Sequence, residues 1–218
     1  MSATALDEHA IIQELVVSIR NGDVFTTTQR DVTTTAQTGT LTGTTISINR
    51  SNVKNIRSIT IGAVTKTFGD DYLVEYDNSG TCLVTFNTSQ NDTYSISYDY
   101  GTDKIFADFP RSDLTISSFP RIGVDFVDII SDNGGMGNVN LNTYDISIAV
   151  YGSNKDDIHS YTKKIRQLII DNQNNFYYMK VVKPRLMSPI IPGQFEKVKD
   201  KIFQRNIDIR ALLNLEIT

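Results

Sequence analysis

Between Tyr72 and Gly101 the chain reads "YLVEYDNSGTCLVTFNTSQNDTYSISYDYG", with apolar and polar residues taking turns over most of its length. Tyr72, Val74 and Tyr76 share one side of an extended backbone. So do Cys82, Val84 and Phe86, and then Tyr94, Ile96, Tyr98 and Tyr100. A period of two marks strands with one buried face, because successive side chains of an extended chain point to opposite sides. The runs are separated by "GDD", "DNSG" and "SQND", which have turn compositions. With Ile59 and Ile61 alternating upstream, residues from about 46 to 105 predict a small all-β module of closely spaced antiparallel strands. Acids, bases and nucleophiles placed for chemistry are scarce in it.

The flanks follow a different period. Leu6, Ala10, Ile11, Leu15 and Ile19 recur at spacings of three or four and predict an amphipathic helix over 6–20, stopped by "NG" at Asn21–Gly22. The threonine-rich stretch 26–45 favours extended backbone but has no strong apolar face, so exposed strands or a mobile loop are expected there. Pro110 and Pro120 reset the chain. A strand over 122–130, a Gly/Asn loop over 131–142 and a partner strand over 143–152 then form a hairpin. "SNKDDIHSYTKKIRQLIIDNQ" predicts the best-marked helix. Ser153 is its expected cap and Asp156, three residues on, completes an approximate capping box. Ile158, Tyr161, Ile165, Leu168 and Ile169 form its buried stripe. A strand near 176–183, a proline-bearing excursion over 184–199 and a terminal strand on which Phe203, Ile207, Ile209, Ala211, Leu213, Leu215 and Ile217 share a face complete the chain.

The fold expected from these pieces is α+β: an antiparallel sheet with two helices packed on one face, plus an inserted small all-β, sandwich-like module. The α+β domain would be discontinuous, residues 1–30 and 110–218, with the module occupying 31–109.

Chemistry is hard to place. His9 and His159 are the only histidines, and neither has a ligand partner at metal spacing. Asp70 and Asp71 are adjacent and belong to a turn. "DNSG" and "DNGG" lack the alternating oxygens and distal glutamate of a calcium loop. No G-x-S-x-G or phosphate-loop pattern occurs, and "GGMG" joins two strands without a following helix start. Cys82, the single cysteine, lies on the apolar face of its strand and reads as a buried, inert thiol; a reducing cytosol is the expected place of synthesis. The strand tyrosines at 72, 76, 94, 98 and 100 read as core, with an aromatic platform for sugars the alternative. A net charge of −4 argues against free binding to nucleic acid, and no apolar run is long enough to span a membrane. The expectation is no catalytic residue, no cofactor and no metal.

"SSFPRIGVDFVDI", the Gly/Asn loop, "YDISIAVYGSNKDDIHSYTKKIRQLI" and "FQRNIDIRALLNLEI" together resemble the tail terminator, or tail completion, proteins of tailed bacteriophages over roughly residues 6–22 and 115–218. The stretch from "IRSITIG" to "YSISYDYG" is similar to small β-modules of phage structural proteins, a departure from the shorter terminators. The resemblance implies a virion structural protein of the tail or neck, assembled in the host cytoplasm. It would form a homo-oligomeric ring, by implication a hexamer, on the last ring of the tail tube. Its partners would be the tail tube protein and the head–tail connector or stopper protein, with genomic DNA passing through the lumen without sequence-specific binding and no membrane involved. Another neck protein, or a carbohydrate-binding module, is the alternative. The interface candidates lie in the hairpin loop and the excursion: Asn133, Gly134, Gly135, Met136, Gly137 and Asn138, then Arg185, Met187, Ile190 and Phe195.

Overall fold

The computed structural model describes residues 8–76, 82–107, 119–133, 140–192 and 202–213. Helices α1 (Glu8–Asn21) and α2 (Thr27–Arg30) precede strands β1 (Val32–Ile48), β2 (Val53–Ile61), β3 (Val64–Lys66), β4 (Tyr72–Tyr76) and β5 (Cys82–Gly101). There follow β6 (Ile105–Phe106), β7 (Arg121–Asn133), β8 (Asn140–Gly152), α3 (Lys155–Asp171), β9 (Met179–Met187), β10 (Ile191–Pro192) and β11 (Phe203–Leu213). The chain divides into two compact units. The first comprises Met1–Phe25 and Lys104–Thr218, and the second is Thr26–Asp103.

The sheet of the first unit runs β10-β11-β8-β7-β6, with β9 also pairing β11. Its ladders are antiparallel except β6 against β7, which is parallel, so the sheet is mixed rather than antiparallel throughout as expected. Alternation sets its core. Ile146, Ile148 and Val150 of β8 and Ile207, Ile209 and Ala211 of β11 are buried in one cluster with Ile11, Leu15 and Ile19 of α1 and Ile158, Ile165 and Ile169 of α3. The helical stripes are those the spacing predicts, and Thr162 is buried with them, its hydroxyl donating to the Ile158 carbonyl at 2.8 Å. The cap of α3 is Asn154 and not Ser153: its side chain accepts from the Asp156 N–H. At the end of α1, a side chain at Gly22 would have its Cβ 1.8 Å from Leu168 Cδ1, so the "NG" stop also leaves room for the Leu168 side chain of α3. Arg20, buried, reaches the Ile105 carbonyl at 2.6 Å and ties α1 to β6.

In the second unit β5 is the central strand. β1 lies along one side of it for nearly its whole length; β4 and β2 share the other side, opposite Cys82–Phe86 and Tyr94–Tyr100 respectively. "SQND" therefore is not a turn. It lies inside a 20-residue strand, where the register with β1 shifts between Gly43 and Thr45. Four β5 residues fit into that break, enough to bend the strand without ending it. The threonine-rich segment, expected as exposed strands or a mobile loop, is a short helix followed by one 17-residue strand that is exposed over much of its length. β2 and β3 are joined through Gly62 and Ala63, both at positive φ, as a two-residue hairpin turn requires. Tyr72 and Tyr98 are buried in this unit's core, and Tyr76, Tyr94 and Tyr100 pack against it. The tyrosines build the module rather than presenting a stacking platform.

One polar cluster lies within this unit. Arg30 is fully buried at the end of α2, whose start is a capping box between Thr26 and Gln29. Its guanidinium donates to Asp103 at 3.1 and 2.6 Å, to Asp99 at 2.8 Å and to Asn55 Oδ1 at 2.9 Å. The other Asp99 oxygen accepts from Thr34 at 2.6 Å and Arg57 at 2.7 Å. Two arginines and two aspartates thus cancel in charge and join α2, β1, β2, β5 and the last residue of the unit. Gly101 makes the crossing possible: it has φ +143, and a Cβ there would lie 2.4 Å from the Asp31 carbonyl. The cluster is why the division falls a few residues before the expected boundaries. Arg30 and Asp103 belong to the module, while Ile105 pairs with β7.

Burial raises the Asp99 carboxyl, but hydrogen bonds from Arg57 and Thr34 and the charges of Arg30 and Arg57 outweigh it and hold the group below the usual carboxylate range. A depressed folded-state value gives stability that is present above the unfolded value, near 4, and lost as pH falls through the folded one. Acid should therefore loosen the second unit below about pH 4. Arg30→Ala takes from two buried carboxylates the cation they share, leaving Asp99 with Arg57, and should cost roughly 3–5 kcal/mol. Hydrogen exchange should show β1 and β5 amides losing protection in this variant.

Candidate assembly surface

Among the described residues the β7–β8 ladder runs further than the β8–β11 ladder. β8 pairs with β11 from Gly152 to Thr143, and β11 is described only to Leu213. At the end of the β7–β8 ladder Ser131 pairs with Asn142, Asp132 with Leu141 and Asn133 with Asn140. On the other side, β6 covers β7 only at Ile122 and Gly123. From Val124 onward the outer edge of β7 is unpaired among the described residues. The register shifts between Phe126 and Asp128, and Val127 at the shift is 64% exposed. Asn133 is the last residue of β7; Gly134, Gly135, Met136, Gly137 and Asn138 lie outside the described residues.

The excursion after Pro184 divides by role. Arg185 is exposed and stands 3.2 Å from Asp145. Asp145 is already held by Arg210, its partner across the β8–β11 ladder, through two hydrogen bonds of 2.7 Å. The Arg210 hydrogen bonds first, then the charges of Arg210 and Arg185, keep the Asp145 carboxyl below the usual range against a smaller effect of burial. Arg185 makes the longer of these contacts and is the cation that a partner could draw away at least cost. Met187 and Ile190, also expected as interface residues, are partly buried and pack against the core of the first unit. The chain between them is tied down as well. Ser188 Oγ accepts from the Asn206 N–H at 2.9 Å, and the Ser188 carbonyl accepts from Arg205 Nε at 2.9 Å. Phe195 lies outside the described residues.

Residues considered for chemistry take structural positions. His9 lies on α1. His159 accepts at Nδ1 from Arg205 at 3.0 Å. Asp71 closes its turn by accepting from the Thr67 N–H at 2.8 Å, and the Asp70 carbonyl accepts from Asn87 at 2.6 Å. Cys82 is buried, which pushes its thiol up to about 12. Among the described residues no group of three His, Cys, Asp or Glu could hold a metal ion, and no helix is long and apolar enough to cross a membrane.

One polar group escaped the sequence reading. Glu14 on α1 accepts from the backbone N–H of Tyr177 and, at 3.0 Å, from that of Tyr178, fixing the helix to the segment before β9. Burial pushes this carboxyl up to about 7, against the two N–H donors and the charge of Lys180. Nothing in "AIIQELVV" marks Glu14 as more than the polar side of a helix, since its partners are more than 160 residues away.

A carboxyl raised in the folded state contributes stability that is full below its unfolded value and lost as pH rises through the folded one. Thermal unfolding of the first unit should therefore weaken between pH 5 and 8, by roughly 2–3 kcal/mol if Glu14 acts alone. Glu14→Gln should flatten that slope; an unchanged slope would assign it to other groups.

Comparison with protein-family models, with curated proteins and with solved structures finds no match to this chain.

Proposed function

We propose that the chain is a structural component of a tailed-phage neck, a tail terminator that seats on the end of the tail tube, stops its growth and receives the head connector. The observation that carries the reading is the outer edge of β7. From Val124 to Asn133 no described strand pairs with it, and Val127 on that stretch is 64% exposed. Such an edge offers backbone for strand addition by a neighbouring subunit or by the tube. Arg185, exposed and weakly held beside Asp145, is a cation available at the same sheet.

On this reading the protein forms a closed ring, a hexamer by the resemblance, with DNA passing through its lumen. The second unit is an inserted decoration or spacer whose strands supply stability and surface. Another neck position, on the head side, would use the same features. The burial of Tyr72 and Tyr98 in the core of the second unit weighs against the carbohydrate reading.

Electron microscopy of the purified protein mixed with tail tubes from the same source tests the reading. Rings at one tube end are the expected result; protein that ignores tubes but binds tailless, DNA-filled heads would move it to the head side. Deleting residues 134–138 should leave a folded protein, by circular dichroism, that no longer caps tubes. Capping at wild-type efficiency by that variant would remove the hairpin from the interface.

A further inference from the structure

The second unit has an edge of its own. β1 ends the strand order of its sheet, so one side of a 17-residue strand is unpaired among the described residues. Natural edges are usually blunted by charge, proline, shortness or a covering element. β1 has neither proline nor a charged residue: it reads "VTTTAQTGTLTGTTISI". The strand bends at Gly43, and the Gln37 side chain reaches across to donate to the Ser47 carbonyl at 3.1 Å and accept from the Asn49 N–H at 3.3 Å. Among the described residues no strand pairs with the outer edge of 32–43, about 40 Å long at the usual rise per residue.

We propose that this edge pairs with the same edge of a second copy of the chain, antiparallel and across a two-fold axis. The occupant follows from charge and spacing. An antiparallel two-fold centred on a residue preserves the alternation, so one exposed face continues into the other copy's exposed face. Thr34, Thr38, Thr40 and Thr42 are exposed on that face, and hydroxyl-bearing residues then stand opposite one another. Cross-strand threonine pairs are favourable, whereas like charges directly opposite are not. A strand with no charge meets itself without repulsion, while a charged partner strand would find no counter-charge on it. The existing sheet already shows the pattern: Thr38 lies opposite Ser95 and Thr40 opposite Thr93 in the β1–β5 ladder. A second β1 would add the next row. The inference is independent of the neck reading, because it concerns only residues of the second unit.

Sedimentation equilibrium of the full chain over a range of concentrations tests it. Thr38→Lys/Thr40→Lys puts like charges on both copies and should halve the wild-type mass, whatever ring the first unit forms. Thr38→Glu/Thr40→Glu should do the same, and an equimolar mixture of the two variants should recover the wild-type mass. Thr38→Ser/Thr40→Ser, which keeps the strand neutral, should behave as wild type. Hydrogen exchange of the unmodified chain gives a second reading, with amides in 32–43 gaining protection as concentration rises. A Lys variant with wild-type mass, or exchange in β1 that ignores concentration, would overturn the proposal.

Discussion

The second unit depends on a buried arginine. Taking a guanidinium out of water is costly, and only a full set of acceptors offsets the loss. Arg30 has them in Asp99, Asp103 and Asn55, with Arg57 and Thr34 completing Asp99. Because each partner comes from a different part of the chain, the cluster can form only when α2, β1, β2 and β5 are in place together. A hydrophobic core tolerates small displacements; a charge cluster of this kind does not. The register of the strands around β5 and the position of the unit's last residue therefore answer to one set of hydrogen bonds.

The first unit reaches its fold by layers instead. Alternate residues of β8 and β11 face the stripes of α1 and α3, and the polar ties sit at the margins, Arg20 on Ile105 and Glu14 on the Tyr177–Tyr178 backbone. Such a core fixes which side of each strand is buried, but not how far a strand runs past it. β7 and β8 use that freedom. Their inner halves belong to the core, and their backbone ladder continues outward to Asn133 and Asn140. The surface available to a partner lies where the layered packing stops.

Sequence periodicity made the local elements legible. The stripes Ile158–Ile165–Ile169 and Ile11–Leu15–Ile19, the β7–β8 hairpin and the alternation of β5 all follow from side-chain direction, which is a property of neighbours in the chain. Errors arose where composition stood in for structure. "SQND" has turn residues but lies within β5, because the ladder with β1, which pairs Gln90, Asn91 and Asp92, overrides local preference. The threonines of β1 lacked an apolar face and left exposed strands or a mobile loop both open; pairing with β5 makes them one long strand. Asn154, not Ser153, caps α3, a choice between two competent residues that depends on how the chain leaves β8. The Arg30 cluster and Glu14 gave no sign at all, since their partners lie 25 to 164 residues away. At the candidate assembly surface Arg185 is exposed, while Met187 and Ile190 are partly buried against the core of the first unit.

The pairing of Arg30 with Asp103 sets the second unit's first helix beside its last residue. Seen from the first unit, Phe25 and Lys104 are then joined by something that acts as a short connection, however much chain lies between them. The entropy of closing a loop grows with the length of free chain, and a folded excursion with its ends held together contributes little to it. Such a segment can be lengthened, shortened or exchanged for another without asking the host sheet to re-form around it. The same bonds that order the β-module also make it portable.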